Sequence, residues 1–523
     1  MTAAPDRTSY DDVPYDSLPF AQTHPSRLAT VATLFGLNPQ RVERCRVLEL
    51  GCASGGNIIP LAEAFPESWF VGVDLSARQI ADGERVIRKT GLANISLRHA
   101  SITDIDETYG HFDYIICHGV FSWVPRNVQE KILDVCAQHL TPSGVAYISY
   151  NTYPGWHMRG MIRDMMRYHA FRFDTPEQRV GQARALLDFL AQSARKDGGA
   201  YSTLLRGELE FMSDQSDHYI YHEQLEDVND PMYFHVFMER ASSHGLRYLG
   251  EARISTMVTG NFGADVQKTL AILSSDQIQT EQYLDFVRNR TFRETLLVRA
   301  EQTPDWSIAS ERLYKLHIAS PGKLVSKALD LRTEASTQFQ SRTGMTVSTT
   351  SPLLKAALMA LAVEWPGTIP FAELLHRATE KFGHPPTDEE VTTLALGLLN
   401  AHLASDLIEL HATPMTFARV PGEKPAALVH ARVWAAEGRT DVANRRHEVV
   451  RLSDLAFRLL PLLDGTRDRA TLTDVLTAQA IAGDITVQKA GQPIEDPAEL
   501  REALVATLNP TLEMLARDAL LAG

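Results

Sequence analysis

Between residues 46 and 151, short apolar runs alternate with helix-periodic stretches, and that alternation restricts what the chain can become. RVLELG (46–51), WFVGVDLS (69–76), ISLRHAS (95–101), FDYIICHG (112–119) and GVAYISYN (144–151) are rich in Val and Ile and too short for buried helices. Helical periods run through NIIPLAEAF, ARQIADGERVIRKTG and QEKILDVCAQHL (129–140). Strand runs separated by helical periods imply an α/β fold, a parallel sheet with helices on both faces.

The flanking regions read differently. Residues 1–25 hold Pro, Asp, Tyr and Ser (DDVPYDSLPFAQTHP) and read as an extended arm. Residues 26–36 have apolar spacing for a short helix, with Gly36 as its stop. After Asn151 the pattern turns mostly helical. Stretches 158–171 and 179–196 carry apolar residues at i, i+3, i+4, residues 205–245 look helical with a break at Pro231, and a further helical block runs to about 335. The polar, turn-rich TQFQSRTGMTVSTTSP (337–352) marks a boundary. Three helices and a β-like IELHAT over 352–412 give a winged-helix-like pattern, and 413–523 holds another strand–helix pattern. The expected organisation is an arm (1–25), an α/β domain (26–175), a helical domain (176–336), a winged-helix-like domain (337–412) and a C-terminal domain (413–523).

The first strand ends in Glu49-Leu50-Gly51-Cys52-Ala53-Ser54-Gly55-Gly56-Asn57, a Gly-rich turn that lets backbone approach a ligand. A dinucleotide and S-adenosylmethionine (AdoMet) are the two candidates. Gly51 and Gly56 fill the outer places of the dinucleotide fingerprint, but Ala53 stands where the pyrophosphate needs glycine, and Glu49 would repel phosphate. AdoMet has no phosphate, and its ammonium and sulfonium welcome acidic and carbonyl groups. Asp74, ending the second strand, is placed to accept from two ribose hydroxyls, with Leu75 beside it. Ser101 and Ile102, with Asp104 close by, stand where the adenine edge is expected, and His118 where the methionine portion is expected. Together, in this order and at these spacings, these positions point to AdoMet.

The segments PFAQTHPSRLATVATLFGL, LELGCASGGN, FDYIICHGVFSWVP and YISYNTYPGWHMRGMIRDMM resemble a bacterial family of class I AdoMet-dependent methyltransferases. HEQLEDVNDPMYFHVFMERASSHGLRYLGEA (222–252) resembles a methyltransferase regulatory domain. The family includes the rickettsial lysine methyltransferases that act on outer-membrane protein. The resemblance implies a Rossmann-like class I methyltransferase domain, a mostly helical regulatory domain and winged-helix-like C-terminal domains. It implies protein-lysine Nε-methylation and a protein substrate presenting lysine. Its match is looser over the C-terminal domains.

A lysine must lose its proton before it attacks, because its free pKa is about 10.4. Aromatic faces and oxygen acceptors suit that task. Phe121, Ser122, Trp123, Tyr150, Asn151, Tyr153, Trp156 and His157 stand at the expected C-terminal rim of the sheet, where open α/β sheets bind ligands. Trp123, Tyr150, Asn151 and Tyr153 are expected to line the amine channel as the catalytic set, Trp156 to pack. His218, His222 and Glu223 form H-x-x-x-H-E, which on one helix face could approach a metal, but the ligand set is incomplete and no metal is expected. Glu223, Glu226, Asp227 and Asp230 could draw in a lysine-bearing substrate. The arm, with Tyr10, Tyr15 and Phe20, could close over the cofactor.

Charge narrows the partners. Lys+Arg number 51 against Asp+Glu 65, a formal net charge of -14, without the basic footprint of a nucleic-acid binder. The winged-helix-like segment offers few basic groups (Lys355, His376, Arg377, Lys381), so no nucleic acid is expected. Cys45, Cys52, Cys117 and Cys136 show no CxxC spacing, the N-terminus has no apolar signal core, and no run spans a bilayer; a cytoplasmic protein without membrane insertion is expected. Two rival readings remain: a small-molecule or natural-product methyltransferase, and a non-catalytic AdoMet-binding interaction protein.

Overall fold

The structure, a computed structural model, describes residues 17–194, 198–326, 329–382, 384–489, 492–494 and 496–522. Tyr10 and Tyr15 of the expected arm lie outside the described residues.

Five strands, β1 (Arg46–Leu50), β2 (Trp69–Asp74), β3 (Ile95–His99), β4 (Phe112–Cys117) and β5 (Leu140–Asn151), pair in parallel. In β1, Val47, Leu48, Glu49 and Leu50 are all buried, because helices cover both faces of the sheet. Local sequence sets the helix ends. Ser76 accepts from the Gln79 amide to start Ala77–Thr90, and Gly91 closes that helix at φ +70°. His24 Nδ1 accepts from the Ser26 amide to start Pro25–Leu34, and Gly36 follows its end at φ +81°.

Two more strands, β6 (Leu246–Glu251) and β7 (Phe292–Arg299), complete a seven-stranded sheet of order β3-β2-β1-β4-β5-β7-β6, with β7 antiparallel to both neighbours. The stretch to about residue 335, expected as a helical block, instead carries β6 and β7 between its helices. β7 is buried from Arg293 to Val298, so it lacks the alternation that marks a half-exposed strand. Short apolar runs of that kind do not reveal their period. The strand order reverses between β1 and β4, and a crevice opens at the carboxyl ends of those two strands.

The pair β6–β7 is fastened by a buried ion cluster. Arg293, fully buried, donates to Glu251 on β6 (2.6 Å) and to Glu281 (3.1 Å) and Asp285 (2.8 and 2.9 Å) on helix Gln277–Arg288. Arg290 adds a contact to Asp285 at 3.1 Å. The Arg293 guanidinium lies 3.7 Å from the Phe234 ring centroid, on helix Phe234–Ser243. Burial pushes the Glu281 carboxyl up to about 7, against the pull of Arg293.

Helices Gly155–Ala170, Pro176–Ser193 and Ala200–Ser213, with the π-helical turn Ile220–Leu225, share a core of their own, including Ile162, Met166, Leu187, Leu205, Ile220 and Leu225. They form a cap. The expected three helices follow as Pro352–Glu364, Phe371–Thr379 and Asp388–Ala404, with strands Ile369–Pro370 and Glu409–His411 on either side of His317–Ala319. The polar stretch expected as a boundary is a hairpin, Thr337–Gln340 against Thr346–Thr349. Lys355 is fully buried and its ammonium donates to the carbonyls of Asp330, Thr333 and Ala335. The C-terminal region docks on the catalytic sheet's helices. Glu63 accepts from the backbone amides of Val429 and His430 (2.8 and 2.9 Å) at the start of helix Val429–Ala436, and from His430 Nδ1 at 2.6 Å. Glu437 pairs with Arg85 and Lys89.

Replacing Arg293 with Met leaves Glu251, Glu281 and Asp285 buried around an uncharged side chain. The R293M variant is expected to lose about 3–5 kcal/mol, read as a lower urea midpoint by tryptophan fluorescence. A midpoint equal to that of the parent protein would contradict this role.

Candidate active site

A cavity of about 330 Å³ lies in the crevice at the ends of β1 and β4. Every residue of the cofactor set read from the sequence lines it: Glu49, Gly51, Ala53 and Asn57 from the first turn, Asp74 and Leu75 from the second, Ser101 and Ile102 from the third, His118 from the fourth.

The first turn is shaped by three left-handed residues, Gly51 (φ +75°), Ala53 (φ +48°) and Gly55 (φ +78°). A Cβ on Gly51 would stand 2.4 Å from Val120 Cγ2, so crowding as well as backbone shape favours glycine there. Asp74 braces the turn by accepting from the Ala53 amide at 2.8 Å, and its other oxygen accepts from the Ser76 amide at 2.9 Å. Its carboxylate, anchored on these two backbone amides, lines the cavity. Ser101 accepts from the Thr103 amide while Asp104 accepts from the Ser101 amide, a reciprocal cap that fixes the third turn.

Glu49 is the electrostatic centre of this wall. Oε1 accepts from Asn57 Nδ2 at 2.7 Å, whereas Oε2 is buried with no hydrogen-bond partner among the described residues. Burial pushes this carboxyl up to about 8, the Asn57 contact opposing and Asp74 adding to the rise. An unmatched buried acceptor beside a cavity suits a cationic donor such as a ligand ammonium. The donor set therefore fits AdoMet.

Asn57 is engaged on all sides. Its Oδ1 accepts from the Phe20 amide (2.9 Å), Thr23 Oγ1 (3.2 Å) and His447 Nε2 (2.7 Å). Burial holds the His447 imidazole down to about 3, so it is neutral and available as a donor. A residue from the far end of the chain thus reaches the carboxamide that orients Glu49. The described end of the N-terminal segment closes over the same turn. The Gly56 amide donates to Ser17 Oγ at 2.7 Å, Arg439 donates to the Ser17 carbonyl at 2.6 Å, and a Cβ on Gly56 would overlap that carbonyl. The Phe20 ring lies 4.1 Å from the His118 ring, and His118 Nδ1 is 2.8 Å from the Tyr147 hydroxyl. Burial, helped by Arg253, holds His118 down to about 3 and hence neutral.

Of the expected channel residues, Trp123 lines the cavity and the other three do not. Tyr150 is buried, stacks on Phe237 at 4.1 Å, and its hydroxyl lies 3.2 Å from Thr295 Oγ1. Asn151 is buried, donating to Asn229 Oδ1 and, through its amide, receiving the Ser122 hydroxyl as acceptor. Tyr153 stacks on His157 at 3.9 Å and tilts against Tyr233. The reason is β7: its pairing with β5 as far as Asn151 turns the expected rim into sheet interior. Trp156 is buried and packs edge-on to Trp123, as expected.

His218 is exposed whereas His222 is buried, so the two imidazoles do not converge. They were expected on one α-helical face, but the chain becomes π-helical at Ile220, which breaks the i, i+4 register. Of the acidic cluster, Asp227 pairs with Arg167, Asp230 accepts from Gln129, and Glu226 lies 3.7 Å from His222. Glu223 alone of these four lines the cavity, with His222 beside it. Phe292 on β7 and Ser17 and Leu18 also line it, and no local motif marked them.

Comparison with known proteins gives three family matches: a methyltransferase domain over residues 47–144, a predicted methyltransferase regulatory domain over 216–299, and the PKMT C-terminal winged helix domain over 423–520. The chain is 37% identical over 525 residues to a protein of Rickettsia prowazekii described as uncharacterized, covering 99% of this chain and 94% of that one. A second R. prowazekii protein is 43% identical over 249 residues, 48% of this chain and all of its own length. PKMT2 from Rickettsia typhi, whose structure was determined in complex with AdoHcy, superposes with a TM-score of 0.87 at 33% identity, over 98% of this chain and 100% of that one.

If His447 fixes Glu49 through Asn57, the H447A variant should fold normally yet bind AdoHcy about fivefold more weakly, the loss of roughly 1 kcal/mol for one hydrogen bond. Isothermal calorimetry on the full chain reads this, and an unchanged Kd would refute the coupling.

Proposed function

This chain belongs to the family of the rickettsial PKMT proteins and is an AdoMet-dependent methyltransferase, and from that premise we propose that it is a protein-lysine N-methyltransferase. The observation that carries the reading is the correspondence with PKMT2 along essentially the whole chain, cap and C-terminal domains included. The cavity supports it. Beyond the cofactor turns one stretch of its wall is apolar, formed by Trp123, Val124, Pro125 and Val128, and suits the tetramethylene stem of lysine.

When bound, AdoMet supplies a sulfonium methyl that an amine takes by in-line displacement. In this reading Glu49 Oε2 receives the cofactor's ammonium, and Asn57 holds Glu49 rather than touching the cofactor through its own carboxamide. The Gly51–Ala53 turn supplies close backbone, Asp74 accepts from the ribose hydroxyls, and Leu75, Ser101 and Ile102 border the adenine. His118, neutral and backed by Phe20, covers the methionine portion and adds no competing charge. Trp123 walls the amine path. Tyr150, Asn151 and Tyr153 act from behind, fixing the turn that carries Trp123. Positioning and exclusion of water account for the catalysis.

The catalytic unit we assign extends past 26–175, since β6 and β7 complete its sheet, while the cap is made of the helices between 155 and 225. No helix among the described residues is long and apolar enough to cross a membrane. The buried, carbonyl-bound Lys355 and the Glu-paired Arg377 leave the 352–412 helices poorly suited to nucleic acid, in keeping with a protein substrate met in the cytoplasm.

Labelled AdoMet, incubated with the protein and an outer-membrane protein fraction or a small-molecule extract of the source cells, tests the reading. Label is expected on lysine in a protein band and should vanish in D74A. Label confined to small molecules would overturn it.

Cofactor binding should also depend on pH. Glu49 is protonated at neutrality in the free protein, and an ammonium selects its carboxylate form. Binding of AdoHcy therefore expels a proton, and affinity rises with pH towards about 8. Calorimetry in buffers of different ionisation enthalpy should register that release in the parent protein and lose it in E49Q.

A further inference from the structure

The segment Ile220–Leu225 is a π-helical turn, a form whose extra residue re-aims neighbouring side chains. Ile220 and Leu225 enter the core of the cap, while His222 and Glu223 line the cavity. Glu223 is half-buried, and what exposure it has is towards a cavity. Among the described residues, no hydrogen bond or ion pair engages its carboxylate. The nearest cations, Arg159 and Arg163 on helix Gly155–Ala170, act on it only through space. Arg159 is bound to Glu208, and Arg163 to the Glu226 carbonyl. The same cavity is lined by an apolar stretch of Trp123, Val124, Pro125 and Val128. An apolar wall with one unengaged carboxylate matches an alkylammonium, a hydrocarbon stem ending in a cation.

We propose that Glu223 is the substrate-amine site: it receives the lysine ammonium at the cap wall of the cavity and takes its proton. The inference rests on the lysine reading above. In the step, one N–H bond breaks and an O–H bond forms on the Glu223 carboxylate. The electron pair of the N–H bond stays on nitrogen as the nucleophilic lone pair. Glu223 returns its proton to solvent when the methylated amine leaves.

The energetics favour this transfer here and not in water. In water a carboxylate near 4.3 cannot hold a proton against an amine near 10.4. Burial penalises the charged form of each, raising the acid and lowering the amine, so the two approach one another. Burial pushes Glu223 up to about 7, with Arg159 and Arg163 opposing. The charges that act on it are those two arginines, and His222 is the titratable neighbour on its own turn. The apolar stretch of wall contributes no ionisable side chain to the cavity lining.

The test uses the full-length protein, labelled AdoMet, an oligolysine peptide with its oligoarginine counterpart as control, and the E223Q and E223D variants. E223Q is expected to lower kcat on oligolysine by on the order of 10²-fold, with AdoHcy affinity by calorimetry unchanged. In the parent protein kcat should rise with pH through about 7 as Glu223 ionises. That limb should disappear in E223Q and persist, at reduced rate, in E223D. An E223Q variant with full kcat and the same pH limb would overturn the proposal, as would loss of AdoHcy binding in E223Q, which would put Glu223 in the cofactor wall. If the parent protein labels no lysine, in oligolysine or in the outer-membrane fraction, the lysine reading itself fails, and the proposal with it.

Discussion

The carboxamide of Asn57 is the point on which the rest of the structure turns. It is buried, and it is claimed at once by the N-terminal segment through Phe20 and Thr23, by Glu49 on β1, and by His447 of the C-terminal region. A buried amide with unmet hydrogen bonds is costly, so the site depends on these three pieces meeting at one carboxamide. The arrangement gives a physical reason for the length of the chain. A class I sheet could bind AdoMet without residues 413–523, but here the side chain that orients the ammonium-binding carboxylate is itself oriented from there. Glu63, which caps the helix Val429–Ala436 from the other side of the contact, holds the same two regions together. Burial alone would raise the Glu63 carboxyl, but its contacts with His430 hold it down to about 2, so it carries its charge at neutrality.

The second constraint is the insertion of β7 between β5 and β6. It converts the carboxyl end of β5 from a rim into an interior, which is why Tyr150 and Asn151 became packing and Phe292 became lining. The Arg293 cluster ties this strand to β6 and to helix Gln277–Arg288, and the Thr152–Met232 bridge ties the end of β5 to the segment that follows the cap. The cap's own core is separate from that of the sheet. The cap therefore meets the cavity through few residues, and the π-helical turn decides which ones.

What the sequence made legible follows the range of the interactions. The nine positions proposed for the cofactor line one cavity, and most are held locally at or just past the strand ends: Gly51 and Ala53 by left-handed backbone, Ser101 by a local cap, Asp74 by contacts within the βα unit; Asn57 is the exception, held from afar by Phe20, Thr23 and His447. The catalytic wall was not readable in the same way. Tyr153 and Asn151 are aromatic and polar in the right place along the chain, but their partners, Tyr233 and Asn229, come from about eighty residues away, and nothing local announces them. Strands β6 and β7 were missed because a doubly buried short strand and a buried helical turn have the same composition. Glu223 shows the opposite failure. Its acidic neighbourhood was visible, but only the change from α- to π-helical winding separates the one carboxylate that faces the cavity from the three that are engaged elsewhere.

Charge at the two ends of the cavity obeys one logic. AdoMet carries a net positive charge and a lysine side chain carries another, and the reaction requires them in contact. At an effective dielectric of about 20, two unit charges about 4 Å apart repel by about 4 kcal/mol, so a protonated substrate is disfavoured by the very cofactor it must approach. Glu49 answers the cofactor's ammonium and Glu223 the substrate's. The difference between them is their setting. Glu49 is held in place by Asn57 through Oε1, which in the proposed reading leaves Oε2 for the cofactor's ammonium and suits binding. Glu223 has no hydrogen bond or ion pair among the described residues to hold it ionised, so it can accept a proton and give it up again. Once the amine is neutral, the repulsion is gone and the lone pair is free, and the apolar wall beside Trp123 then favours the uncharged amine over its hydrated cation.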